Sequence, residues 1–348
     1  MSEDELLPYS RLRMTNRQNL AEILPLDYPF TLFVDPSSAC NFRCRQCPQF
    51  FDDFRALHGH WGMMSLGLYQ KIVRDLHAWA TSIDAASPPK IKSLNLYGYG
   101  EPLLNKKIGT MLKMARDAGV AERITITTNG SHLPADVARE LVQNGLTYLR
   151  VSIYSVVPER HQRLTNSRIG TEEILQNVLR LKNIRDEMGS RLPFIHVKML
   201  DSLTEENHAF RDMYKNVADE TLVEGAMNWN DPARQDLIGN YYGEAAIDRP
   251  RLFPHVKQVC PQPFYCMMIA ADGDVSTCCV DWNKKTKVGN AKDTHLRDIW
   301  CGAALKDFRR MHLARRKCEN EACDRCTYLY TLPDNLDSIP PDRIEQVI

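Results

Sequence analysis

The chain has 348 residues, with Lys plus Arg and Asp plus Glu both at 44, so the formal net charge is zero. That balance excludes a basic footprint for nucleic acid or an anionic membrane, and the 43% hydrophobic content is enough to fill one large domain or one domain plus a small one. The acidic start Met1-Ser2-Glu3-Asp4-Glu5 has no long apolar stretch behind it, which predicts neither a signal peptide nor a membrane span and therefore a cytoplasmic protein.

Residues 1–29 read as an N-terminal extension. A β-rich run from Phe30 to Asp35 follows, and behind it come Cys40, Cys44 and Cys47. A Cys-x3-Cys-x2-Cys spacing puts three thiolates on one tight loop, and soft sulfur ligands select iron–sulfur or zinc. Three ligands and no local fourth leave one iron of a cubane open to another ligand. A structural zinc loop or buried free thiols are the alternatives.

From residue 30 to 225, β-rich runs alternate with helical patterns, as in repeated βα units around a parallel sheet. The predicted strands are Phe30 to Asp35, Ile91 to Tyr97, Ile124 to Thr128, Tyr148 to Ile153, Phe194 to Leu200 and Thr221 to Glu224. Helices are predicted from Leu66 to Thr81 and from Glu172 to Met188, each with one apolar stripe. Functional residues in such a barrel gather where strands end. The second strand ends in Gly98-Tyr99-Gly100-Glu101-Pro102, the third in Thr128-Asn129-Gly130, and the fourth carries Ser152. Taken alone these are ordinary turns. On the fifth strand His196 and Lys198 alternate with apolar residues and are expected to face solvent.

Residues 226–257 break any steady period and read as a linker over the barrel mouth, with Trp229 and the Tyr241-Tyr242 pair as packing or substrate-contact residues. Eight of the eleven cysteines then follow. Cys260 and Cys278 flank a predicted hairpin with Asp272-Gly273 at its tip, and a helical pattern from His295 to His312 leads to Cys323-x2-Cys326. Clustering of this kind outside a secreted scaffold points to metal, either a second iron–sulfur cluster or a zinc ribbon. Cys301 and Cys318 read as plain thiols, and residues 331–348 as a C-terminal tail.

The two cysteine blocks together resemble the radical S-adenosylmethionine (SAM) enzymes of the SPASM and twitch type, over roughly residues 30 to 330. The resemblance implies an α/β fold: a partial (β/α)6 TIM-like barrel over 30–225 and a small Cys-rich SPASM/twitch-like domain over 258–330. It further implies that Cys40, Cys44 and Cys47 hold a [4Fe–4S] cluster whose open iron is chelated by SAM, and that Gly100 and Glu101 bind the SAM amino group. Asn129 and Ser152 are implied to contact its ribose and methionine parts. Gln46 departs from the family, which usually has an aromatic or large apolar residue there. In the C-terminal block, one auxiliary iron–sulfur cluster is implied, with Cys260, Cys278, Cys323 and Cys326 as ligands and Cys266 as the substitute. Cys279 is either packed or a hydrogen-atom donor.

The implied reaction is reductive cleavage of SAM to a 5′-deoxyadenosyl radical, hydrogen abstraction from a polar small molecule such as a sugar, cyclitol or nucleoside-like metabolite, and oxidation through the auxiliary cluster. A flavodoxin or ferredoxin would supply the electron. Too few residues precede the first strand for an independent peptide-binding domain, which places peptide or protein modification second. Redox-neutral epimerisation or decarboxylation and a non-catalytic metal-binding module are the remaining readings.

Overall fold

The computed structural model describes residues 18–227, 229 and 257–348. Six parallel strands stand side by side in chain order: β1 (Thr31–Val34), β2 (Ser93–Leu96), β3 (Ile124–Thr128), β4 (Tyr148–Ile153), β5 (Phe194–Leu200) and β6 (Glu220–Glu224). Their crossovers carry helices, among them Leu66–Ile83, Ile108–Asp117, Ala135–Gln143 and Thr171–Glu187. This is an open partial barrel.

The strands form where period-2 alternation gives one apolar face. Leu149, Val151 and Ile153 of β4 are buried in the same core as Ile174, Val178 and Leu181 of the following long helix, while Tyr148, Arg150 and Ser152 point the other way, into the barrel. The helix Leu66–Ile83 starts where Ser65 Oγ accepts from the Leu68 N–H at 3.2 Å, a cap worth about 1 kcal/mol.

The C-terminal block continues the same sheet. Strand β7 (Cys266–Ile269) pairs in parallel with β1, and β8 (Asp274–Ser276) and β9 (Lys287–Asn290) extend it antiparallel. The hairpin turns at Gly273, whose φ of +89° suits glycine. The predicted helix from His295 to His312 is two, Leu296–Trp300 and Ala303–Leu313, broken at Gly302, where a Cβ would come within 2.6 Å of Asp298 O. The first docks on Leu66–Ile83: Leu296, Ile299 and Trp300 enter the main core, and Trp300 Nε1 donates to Leu26 O at 2.8 Å.

Residues 331–348, the C-terminal tail, pack onto the rest of the chain. Leu336, Ile339 and Val347 are buried with Leu20, Leu24, Phe264 and Leu313 in a second apolar cluster. The segment read as a linker lies almost wholly outside the described residues, Tyr241 and Tyr242 included. Trp229 packs against the cluster of Phe54, Tyr99, Met268 and Trp282.

His196 and Lys198 do not face solvent. They are 6% and 8% exposed on the inner side of the barrel, His196 Nδ1 is 2.9 Å from Glu220 Oε2, and Lys198 Nζ donates to Glu224 Oε1. Alternation identified their face correctly, but in a barrel that face is enclosed.

Candidate active site

The cysteine loop is fixed from three sides. Its backbone is tied to the end of the helix Pro158–Thr165, through Arg43 N to Thr165 O at 3.0 Å and Arg45 N to Leu164 O at 2.8 Å. Glu101 N donates to Ala39 O at 2.9 Å, and Gln49 Nε2 spans Ser38 O and Tyr99 O at 2.8 and 2.7 Å. Asn41 Nδ2 reaches Ser131 Oγ at 2.8 Å, and Asn129 Nδ2 reaches Asn41 Oδ1 at 3.0 Å. Gly100 and Asn129 are thereby brought directly against the loop. A Cβ on Gly100 would lie 2.3 Å from both Ala39 O and Ser37 O, so only glycine permits this approach.

Glu101, expected to meet the SAM amino group, is also tied into the chain itself. Its carboxylate is 2% exposed and accepts three hydrogen bonds from the chain: Thr128 Oγ1 at 2.7 Å and Leu103 N at 3.0 Å on Oε1, and Asn129 N at 2.8 Å on Oε2. It clamps the second and third strand ends together. Burial pushes its pKa up to about 7 against the opposing pull of those three donors. Ser152 lies deeper on β4, half-buried on the inner face and paired in register with Lys198.

Burial raises the Cys40 and Cys44 thiols well above their ordinary range and pushes Cys47 up to about 11, so without metal the three stand protonated and ligation must release protons. Tyr154, just past β4, shares a hydrogen bond with Cys44. Sequence reading missed this contact, although the residue sits at a strand end. Gln46 is 7% exposed, and neither its Oε1 nor its Nε2 finds a partner. A buried orphan amide on the loop, between Cys44 and Cys47 in sequence, fits a loop that receives a polar group.

In the C-terminal block Cys260, Cys278, Cys323 and Cys326 line one pocket. All four thiols are raised by burial, and the charges of neighbouring cysteines raise Cys260, Cys278 and Cys323 further, as expected for sulfurs gathered in one place. His312, which sequence reading also missed, lines the same pocket. Its Nδ1 accepts from Cys260 N at 3.4 Å, and its Nε2 has no partner. The residues present therefore fit a group held by sulfur. Among the described residues no three His, Cys, Asp or Glu side chains converge on a single-ion position. Cys266 is fully buried at the start of β7 and does not line the pocket. Cys279 turns toward Gln262 Nε2 and Tyr328 Oη, at 3.9 and 3.7 Å, and Cys301 and Cys318 are exposed.

The two cysteine sites are mechanically joined. Tyr99 Oη donates to Asp281 O at 3.0 Å, and His58 Nδ1 lies 2.7 Å from Trp282 O, so the segment after Cys278-Cys279 is pinned to the loops around the first triplet.

Comparison with known proteins agrees with this arrangement. Residues 34–199 match the radical SAM superfamily, and residues 260–327 match SPASM, an iron–sulfur cluster-binding domain. The chain is 22% identical to the S-adenosyl-L-methionine-dependent 2-deoxy-scyllo-inosamine dehydrogenase of Niallia circulans, over 84% of this chain and 90% of that one. It is 26% identical to the tungsten-containing aldehyde ferredoxin oxidoreductase cofactor-modifying protein of Pyrococcus furiosus, over 51% of this chain, and spans only 44% of that protein's length. Among solved structures, BtrN in complex with AdoMet and 2-DOIA superposes with a TM-score of 0.52 at 20% identity, covering 86% of this chain and 92% of that one. Streptococcus suis SuiB bound to S-adenosylmethionine superposes with a TM-score of 0.58 at 15% identity, covering 87% and 74%. Among the described residues no helix is long and apolar enough to cross a membrane. The chain belongs to the radical SAM superfamily, with a C-terminal SPASM domain, and its cofactors are SAM, a [4Fe–4S] cluster and auxiliary iron–sulfur.

Proposed function

We propose that this radical SAM enzyme oxidises a polar small molecule of the sugar or cyclitol class. The observation that carries the reading is the inner face of the barrel beneath the cysteine loop. Arg150, Ser152, His196, Lys198, Glu220 and Glu224 project from three adjacent strands, where an apolar substrate would call for an apolar lining. Similarity to a cyclitol dehydrogenase along most of both chains supports the same class.

In this reading Cys40, Cys44 and Cys47 hold the SAM-linked cluster, and Cys260, Cys278, Cys323 and Cys326 the auxiliary one. When bound, these groups supply hydrogen-atom abstraction from unactivated carbon and an acceptor for the electron left behind. Gly100 and Asn129 shape the rim, and Glu101 positions both by holding their strand ends together. The Lys198–Glu224 and His196–Glu220 pairs present fixed donors and acceptors to hydroxyl groups. The packing of Phe54, Tyr99, Met268 and Trp282 keeps water from one side of the chamber.

The test is anaerobic turnover of reconstituted enzyme with SAM, a low-potential reductant and candidate polyols deuterated on ring carbons. Deuterium in 5′-deoxyadenosine together with a carbonyl product is the expected result. Deuterium transfer from peptides and from none of the polyols would overturn it.

A further inference from the structure

We propose that Arg150 anchors an anionic group of the substrate, a phosphate or a carboxylate, which narrows the substrate to an acidic derivative of a polyol; this rests on the inner face being the substrate surface. Arg150 sits in the middle of β4 on the inner side. Register places it between Thr127 of β3 and His196 of β5, with Glu220 of β6 beyond. Lys198 on the next strand is matched by Glu224, and the His196 imidazole, whose pKa burial lowers, by Glu220. Among the described residues Arg150 is matched by none.

Its guanidinium lies 5.1 Å from the Tyr97 ring centre, and its buried Nε has no hydrogen-bond partner. Among the described residues no carboxylate pairs with it. The hydroxyls of Thr125 and Thr127, on the neighbouring strand and the same face, are also buried without partners. The half-buried guanidinium with its buried, unpartnered Nε, on a face where Lys198 and His196 each have an acid, leaves room for an outside anion. The planar guanidinium offers a fork that an oxyanion fills with two parallel bonds, and the orphan threonine hydroxyls can donate to its remaining oxygens. Stacking on Tyr97 holds the fork in one orientation. Arg150 is two residues deeper along β4 than Ser152 and four deeper than Tyr154, which touches Cys44, so an anion held there leaves the rest of the substrate extending toward the cysteine loop.

The experiment uses reconstituted, SAM-loaded protein and two probes, inorganic phosphate and acetate, each titrated against chloride at constant ionic strength. Apparent affinity is read from the thermal unfolding midpoint, and iron content checks that each variant is intact. Saturable stabilisation by phosphate marks a phosphoryl site, and by acetate a carboxylate site. Arg150→Gln should weaken the response by roughly tenfold or more, and Arg150→Lys, which keeps the charge and loses the fork, by a smaller factor. If Arg150→Gln loses iron, the lysine variant alone decides the matter. No response of the wild type to either anion, or an undiminished response in the variants, overturns the proposal. Because the readout is binding, it stands apart from whether any polyol is turned over.

Discussion

Glu101→Gln separates two roles that the Gly-Glu-Pro motif leaves open. If the carboxylate contacts only SAM, the substitution weakens SAM binding and leaves the cofactor-free chain as stable as before. The hydrogen bonds predict otherwise. A glutamine that keeps its oxygen on Thr128 and Leu103 must turn its NH2 toward Asn129 N, now 2.8 Å from Oε2, so two donors face each other and a buried N–H is left unsatisfied. The flipped amide loses two acceptor contacts instead of one. The better orientation therefore costs about 1 to 3 kcal/mol, before any SAM is present. Urea unfolding of metal-free, reduced protein reads this directly as a lower midpoint at unchanged slope. An unchanged midpoint in the absence of SAM would refute the clamp and return Glu101 to direct ligation.

Gly100→Ala drives a Cβ to 2.3 Å from two backbone oxygens of the cysteine loop and strains the 2.9 Å bond from Glu101 N to Ala39 O; about 2 to 4 kcal/mol of stability should be lost, and a change under about 0.5 kcal/mol by the same unfolding assay would contradict the close approach. Asp35 is fully buried with Oδ2 unpartnered, and burial raises its pKa to about 7 from 3.8. The stability it contributes is therefore complete below about pH 4 and lost as pH rises through about 7, at no more than about 1.4 kcal/mol per pH unit. Wild type should lose stability relative to Asp35→Asn across that window, and parallel pH profiles would remove Asp35 as the cause. Cys323→Ala with Cys326→Ala should abolish oxidised product while SAM cleavage continues, and Cys279→Ala should be nearly silent. Solvent deuterium on product carbon that disappears with Cys279 would instead identify a hydrogen-atom donor and redox-neutral chemistry.

Strands β3, β4 and β5 span the same residues in sequence and structure, because each is a clean apolar alternation bounded by polar or glycine-rich turns. Alternation does not say what covers the second face. That is why His196 and Lys198 were legible as a face and not as an enclosed one. The helical period from His295 runs on past Gly302, whereas the break is set locally by Asp298 O, so the pattern alone shows one helix where there are two. Spacing nominated four C-terminal cysteines that do share a pocket, but nothing local in the sequence announces His312 beside them or Tyr154 beside Cys44, since both contacts are made across the fold. In Gly100-Glu101 the motif marks a close approach to the cysteine loop. Only the bond geometry distinguishes a carboxylate that meets a ligand from one that fastens two strand ends.

The central claim is that the first cysteine triplet, and not the second block, carries the SAM chemistry. Its most direct test is 5′-deoxyadenosine formation from SAM under dithionite, with iron counted in the same samples. Wild type should hold about eight irons as two cubanes and form 5′-deoxyadenosine. Replacing Cys40, Cys44 and Cys47 by Ala should leave about four irons and no 5′-deoxyadenosine, whereas replacing Cys260, Cys278, Cys323 and Cys326 should leave about four irons with cleavage intact. SAM cleavage that survives in the first variant, or full iron content there, would contradict the account.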